Sequence, residues 1–161
     1  MNKTFKITKP DPEMRELIEK TDKKILAIWA IECAERVMHL FKEWNSRDTR
    51  PEAALETLRQ WIRTGIFNMS AIRKASLDSH AAAREVGEDK LSLAFQASAA
   101  RSAARACGQA VATAHVKAHA YGAAIYAQQA IFRKSNSIEK VEIERDFQFK
   151  KLLILTQKNG Y

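Results

Sequence analysis

The sequence predicts an all-α fold: a single-domain bundle or array of about five long helices with a short helix in front of them. Three observations predict it. Sixteen of the 37 residues from Ala94 to Ala130 are alanine, the best helix former, and none is proline. Glycine (5) and proline (3) are scarce in 161 residues, so turns are few and elements long. Apolar residues recur at spacings of three and four, and no alternation of period two persists. The length suits one domain with a real core, and an apolar content of 46% is ordinary for a globular chain.

Taken in order, residues 1–10 are polar and read as a flexible N-terminal arm, with 11–157 as the helical domain and 158–161 as a frayed end. Asp11 caps a short helix over about 12–20, with Pro12 at its first position. The first long helix runs from about 22 to 44. Its apolar face is Ile25, Ile28, Trp29, Cys33, Val37, Leu40, Phe41 and Trp44. Arg50-Pro51 opens the next, which buries Ala54, Leu55, Leu58, Trp61 and Ile62 and ends on Gly65 as C-cap. Asn68 or Ser70 starts a third, ending near Gly87, with Met69, Ile72, Ser76, His80 and Ala83 on one face.

The alanine-rich stretch is too long for one element and reads as the inner hairpin. Gly108 is the best breaker, giving helices of about 89–106 and 109–134, with a later turn near Lys117 as the alternative. Ala112, His115, His119, Gly122, Ala123 and Tyr126 then share a stripe. Asn136 with Glu139 fits a loose capping arrangement for a last helix over about 137–157. That helix carries Ile138, Val141, Phe149 and Leu152 on one face, with Phe147 and Ile154 on a second. Leu153 and Leu155 either serve a homodimer or cover the bundle.

The net charge of +8 excludes an acidic mimic of nucleic acid and permits an acidic protein, a nucleic acid or an anionic membrane as partner. Basic and acidic residues are interleaved, which favours a solvated surface over a nucleic-acid stripe. Cys33 and Cys107 sit in apolar patterns without a CxxC pair and read as buried free thiols of a reducing cytoplasm. No stretch approaches the roughly 20 apolar residues of a membrane span. No membrane partner is expected.

Among side chains that carry chemistry, His115 and His119 stand four apart, so one helix would aim both imidazoles the same way. Such a pair can bind zinc, with His80 as third ligand and Glu32 or Glu35 as carboxylate. The second position is not Glu, so the HExxH pattern fails, and hydrogen-bonded core histidines are the plainer reading. Arg84, Arg101 and Arg105 can grip phosphate or carboxylate, or pair with Glu32, Glu35 or Glu85. The three tryptophans fall on apolar faces, and Trp44, beside a polar loop, is the one placed to reach the surface. No nucleophile motif, phosphate loop, dinucleotide fingerprint or nucleic-acid module is present.

With these residues in place, the chain resembles a putative immunity protein family, the immunity-five-like domain of bacterial polymorphic toxin systems. The likeness rests on Trp29-Ala30, Cys33-Ala34-Glu35, Phe41, Arg47-Asp48, Arg50-Pro51, Trp61, Gly65 and His80 with Ala82-Ala83-Arg84. It continues through Gly108-Gln109-Ala110-Val111-Ala112-Thr113-Ala114-His115, His119-Ala120, Gly122-Ala123 and Tyr126-Ala127. Glu144-Arg145-Asp146-Phe147-Gln148 resembles a segment in which the family usually has Trp at the place of Phe147. The resemblance spans about 22–155. It implies an all-helical, non-enzymatic protein that needs no cofactor and neutralises a cognate toxin by steric and electrostatic blockage. Arg47, Arg50, Arg63 and Lys134, basic residues next to loops, are the candidate partner contacts. The alternatives are a basic nucleic-acid-binding helical module and a metal-dependent helical enzyme using His80, His115 and His119.

Overall fold

The structure, a computed structural model, describes Phe5, residues 12–87 and residues 94–159. Its described residues form helices and no strand. These are α1 Pro12–Lys20, α2 Lys23–Trp44, α3 Arg50–Thr64, α4 Met69–Arg84, α5 Ala94–Ala112, α6 His119–Ser135 and α7 Ile138–Asn159. Among the described residues six helices are long, one for each long span that the sequence reading lays out, the two arms of the alanine-rich hairpin included. The N-terminal arm and the Asp11 cap lie outside the described residues, except Phe5, whose ring sits 5.6 Å from that of Phe132. The last helix runs on through Lys158 to Asn159.

Two helices make the interior. α2 packs against α3, α5, α6 and α7, and α5 packs against α2, α3, α4 and α6. Leu26, Trp29, Ala30, Ala34, Val37 and Phe41 are buried along α2, well beyond a single stripe. On α5 the buried residues are almost all small: Ala97, Ala99, Ala100, Ala103, Ala104, Ala106, Cys107 and Ala110. Small side chains let neighbouring axes approach closely, which is how one helix touches four others. Both cysteines are free and buried, and burial pushes their thiol pKa values up.

The ends obey local rules. Asp22 accepts from the Lys24 amide at 2.8 Å to open α2. Gly65, at φ +68°, closes α3, a left-handed position that suits glycine. Asn68 accepts from the Ala71 amide at 3.0 Å to open α4. Asn136 does not cap α7 as expected. It takes the left-handed conformation that ends α6, and Ser137 accepts from the Lys140 amide instead.

The hairpin turns at 113–118, the later of the two expected places. There the Thr113, Ala114 and His115 amides bond three residues back, tightening the last turn of α5. Lys117 ties the turn to the Glu19 carbonyl at 2.7 Å. Gly108 breaks nothing. A Cβ there would lie 2.7 Å from His80 Nε2, so this glycine serves close packing of α4 on α5. α4 itself stops at Arg84, short of Gly87.

α7 is held by polar groups. Its buried stripe is Val141, Glu144, Gln148 and Leu152; Val141 and Leu152 lie on the expected face and Phe149 packs half-buried against the core, while Ile138 is exposed. Arg36 grips both Glu144 carboxylate oxygens at 2.8–3.0 Å, and Trp29 Nε1 donates to the Gln148 carbonyl at 2.8 Å. The Gln148 side chain donates to the Ala124 carbonyl and accepts from Gln128. Phe147 carries the Arg36 guanidinium 3.7 Å from its ring centroid. Leu155 packs on the core and Leu153 is half-buried.

Candidate functional site

α5 is recessed between α4 and α6. From Ala97 to Ala112 only Ser98, Arg101, Arg105, Gln109 and Ala112 escape full burial, and each only half. Their spacing of three and four makes one stripe along the floor of a furrow. Two bonds fix the register of its α4 wall. Ser79 donates to the Ala104 carbonyl at 2.8 Å, and Ser76 to the Gly108 carbonyl at 2.9 Å. His80 therefore lies on Gly108, and Arg84, one turn further along α4, reaches the level of Arg101–Arg105. From the α6 wall, Arg133 donates to the Ser98 carbonyl at 3.3 Å and to Ser102 Oγ at 2.9 Å. Arg101 donates to the Val86 carbonyl at 3.2 Å.

Four guanidiniums thus collect within about two helical turns. The carboxylates expected near Arg84 and Arg105 are engaged elsewhere. Glu32 binds Lys151 at 3.2 Å, Glu35 binds Arg59, and Glu85 binds Arg50 at 2.5 Å. Among the described residues no ion pair forms at Arg84, Arg105 or Arg133. The electrostatics record the crowding. Burial, then Arg105 and Arg101, lower the Arg133 pKa. Burial, then Arg105, Arg84 and His119, lower that of His80.

The histidines fall differently from their spacing. His115 leaves the helix on the turn and is exposed, stacking on Phe67 with centroids 6.4 Å apart, so it shares no helical face with His119. His119 opens α6 and bonds the Gln109 amide oxygen at 2.8 Å. Gln109 in turn lies over Gly122, where a Cβ would meet its Oε1 at 2.7 Å. Burial, then His115, lower the His119 pKa. Among the described residues no three His, Cys, Asp or Glu side chains converge as a metal site needs.

The furrow opens at one end onto an apolar surface that periodicity did not single out. Gly65 and Asn68 end one helix and start the next so abruptly that Ile66 and Phe67 project between them. Ile66 is 73% exposed and Phe67 46%. On one side of this knob lies a cleft of about 280 Å³, lined by Met69, Ile72, Arg73, Ser76, Leu77, Ala112 and His115. On the other, Thr57, Gln60, Trp61 and Ile72 border one of about 180 Å³. Leu77 and Val116 are exposed at the rim. The signal available in the sequence was a pair of large apolar residues inside a four-residue link between a C-cap and an N-cap.

Of the basic residues next to loops, Arg63 stands by this end, paired with Glu56 at 2.9 Å. Arg50 begins α3, about 20 Å from Arg63 along its axis, and is bound to Asp48 at 2.7 Å and to Glu85. Lys134 lies 3.8 Å from Glu43 at the C-terminal end of α2, and Arg47 is exposed in the adjoining loop. The four do not form one surface. Trp44 is half-buried, and Trp61 is covered by Lys23 at 5.7 Å. No described helix is long and apolar enough to cross a membrane.

The sequence model of one family, described as Imm-5 like putative immunity protein, matches residues 16–154. No curated protein and no solved structure matches the chain.

Proposed function

The chain belongs to the Imm-5 like putative immunity protein family, and from that premise we propose that it binds a cognate toxin and blocks it without catalysis of its own. The contact face in this reading is the apolar end of the bundle, built on Ile66, Phe67, Met69, Leu77 and Val116. The observation that carries it is the projecting Ile66-Phe67 knob between two clefts, an arrangement of large exposed apolar groups that folding alone does not require. Arg63 and Arg73 border the knob and lend it positive charge. A toxin surface with carboxylates around an apolar centre fits, and charge of this sign speeds its encounter.

The experiment is co-expression with the products of the genes that flank this one, each first expressed alone to find one that is toxic. Wild-type protein protects the host and co-purifies with the toxin. Phe67→Asp and Leu77→Asp abolish both while leaving the melting temperature within a few degrees, since both side chains are exposed. Arg47→Glu, on the opposite end, leaves protection intact. Protection that survives both apolar substitutions moves the face elsewhere, with Arg47, Arg50 and Lys134 next to be tested. Absence of protection by the wild-type protein overturns the immunity reading.

A further inference from the structure

We propose that the furrow over α5 is a binding site for a multivalent oxyanion, a diphosphate-bearing small molecule, held between Arg84, Arg105 and Arg133 with His80 at its inner wall. This goes beyond toxin binding and stands on different residues.

The argument starts from what a cation cluster needs. Arginines in a folded chain are ordinarily matched by carboxylates or carbonyls, as Arg36, Arg50 and Arg59 are here. Arg133 spends one guanidinium nitrogen on the Ser98 carbonyl and Ser102 Oγ, bonds that fix its position against α5 without neutralising it. Arg105, on the floor, and Arg84, on the α4 wall, form no ion pair among the described residues. Three helices therefore hold like charges together. An anion is the group that relieves this arrangement, and guanidinium forks present paired N–H donors to it.

The ligand class follows from the charge count. A single carboxylate offsets one guanidinium. Two adjacent phosphoryl groups carry several negative oxygens and so can answer guanidiniums from more than one helix at once. Glycine at 108 leaves the space that His80 fills, so the imidazole stays against the furrow. The charged and titratable groups facing His80 are Arg84 on its own helix, Arg105 on α5 and His119 on α6. All are cationic or become so in acid. A bound diphosphate reverses that field and favours the imidazolium.

The test titrates the full chain with inorganic pyrophosphate at low, fixed ionic strength, followed by calorimetry and by the NMR signals of the histidine rings. Sulfate at matched ionic strength and hexaglutamate are the comparison ligands. Pyrophosphate is expected to bind at least tenfold more tightly than either. Arg105→Gln and Arg84→Gln each weaken it at least fivefold, while the exposed Arg47→Gln has no effect. Binding tightens as pH falls from 7.5 to 6, and the His80 ring titrates at higher pH in the complex. Pyrophosphate binding no stronger than sulfate overturns the proposal, as does an unchanged affinity in Arg105→Gln. Hexaglutamate binding as tightly as pyrophosphate does so too, and shows a furrow for acidic polypeptide. None of these outcomes bears on protection against a toxin, which the Phe67 and Leu77 variants test.

Discussion

Two sets of arginines in this molecule do opposite things. Arg36, Arg50 and Arg59 each face a carboxylate: Glu144, Asp48 with Glu85, and Glu35. Hydrogen bonds to those partners raise the pKa of Arg36 and of Arg50. Arg105 faces both His80 and Arg133, Arg84 faces His80, and burial with repulsion from Arg105 and Arg101 lowers the pKa of Arg133. The same side chain is cement in one region and stored positive potential in the other. An arginine becomes structural by having a carboxylate within reach, and becomes available to a ligand when the fold sends that carboxylate elsewhere.

The hardest blow to this contrast falls on the paired side. Glu144 is only 2% exposed and receives three hydrogen bonds from Arg36. Arg36→Met keeps the stem and removes the charge, leaving a buried carboxylate without its cation. The expected loss is about 3 kcal/mol of unfolding free energy, measured by urea denaturation. Because Arg36 reaches solvent, the lower part of the range for broken buried pairs applies. A loss below about 1 kcal/mol would mean that the pairing holds α7 no more firmly than a surface contact does.

A smaller effect tests how the unpaired side is held in shape. Gly108→Ala places a methyl 2.7 Å from His80 Nε2 and 2.8 Å from its Cδ2, so the ring must swing out of the α4–α5 seam. Repacking costs about 2 kcal/mol, and alanine returns about 1 kcal/mol of helix propensity. The net is a modest destabilisation. Its signature is a His80 pKa moving up toward the ordinary value as the ring gains solvent. Gly122→Ala meets only the end of a Gln109 side chain, which can rotate, and costs less while breaking the Gln109–His119 bond.

The helices were largely legible because alanine content, capping residues and three-four spacing act locally. Gly65 as a C-cap, Pro51 at the start of α3 and Asn68 as an N-cap all hold in the structure. Gly108 was legible only as a glycine. Whether it breaks a helix or admits a neighbour depends on His80, 28 positions away, and nothing local decides between the two. The same limit explains the site. Arg84, Arg101 and Arg105 could be picked out, but their expected partners Glu32, Glu35 and Glu85 are claimed by Lys151, Arg59 and Arg50. Arg133 joins them only because α6 folds back along α5. His115 was misplaced for a related reason: the four-residue spacing to His119 aligns the rings only if one helix spans both, and the turn at 113–118 separates them.

The gentlest change separates the two arginine sets most cleanly, because it costs stability in one and leaves it nearly unchanged in the other. Arg50→Gln removes a cation from Asp48 and Glu85 and is expected to cost about 1 kcal/mol. Arg105→Gln removes a cation from a repelling group, so stability near pH 7.5 stays within about 0.5 kcal/mol of wild type. The difference grows in acid. His80 has a folded pKa below its unfolded value, so between the two the unfolded chain binds more protons. Its contribution is fully present above pH 6.5, the unfolded value, and is lost as pH falls through the folded one. Arg105 is the largest charged contributor to that depression, after burial. Its removal raises the folded value and narrows the window. Denaturation of wild type and Arg105→Gln at pH 7.5 and 5.5 should therefore show the variant losing less stability on acidification. Equal losses would place Arg105 too far from His80 to share a site with it.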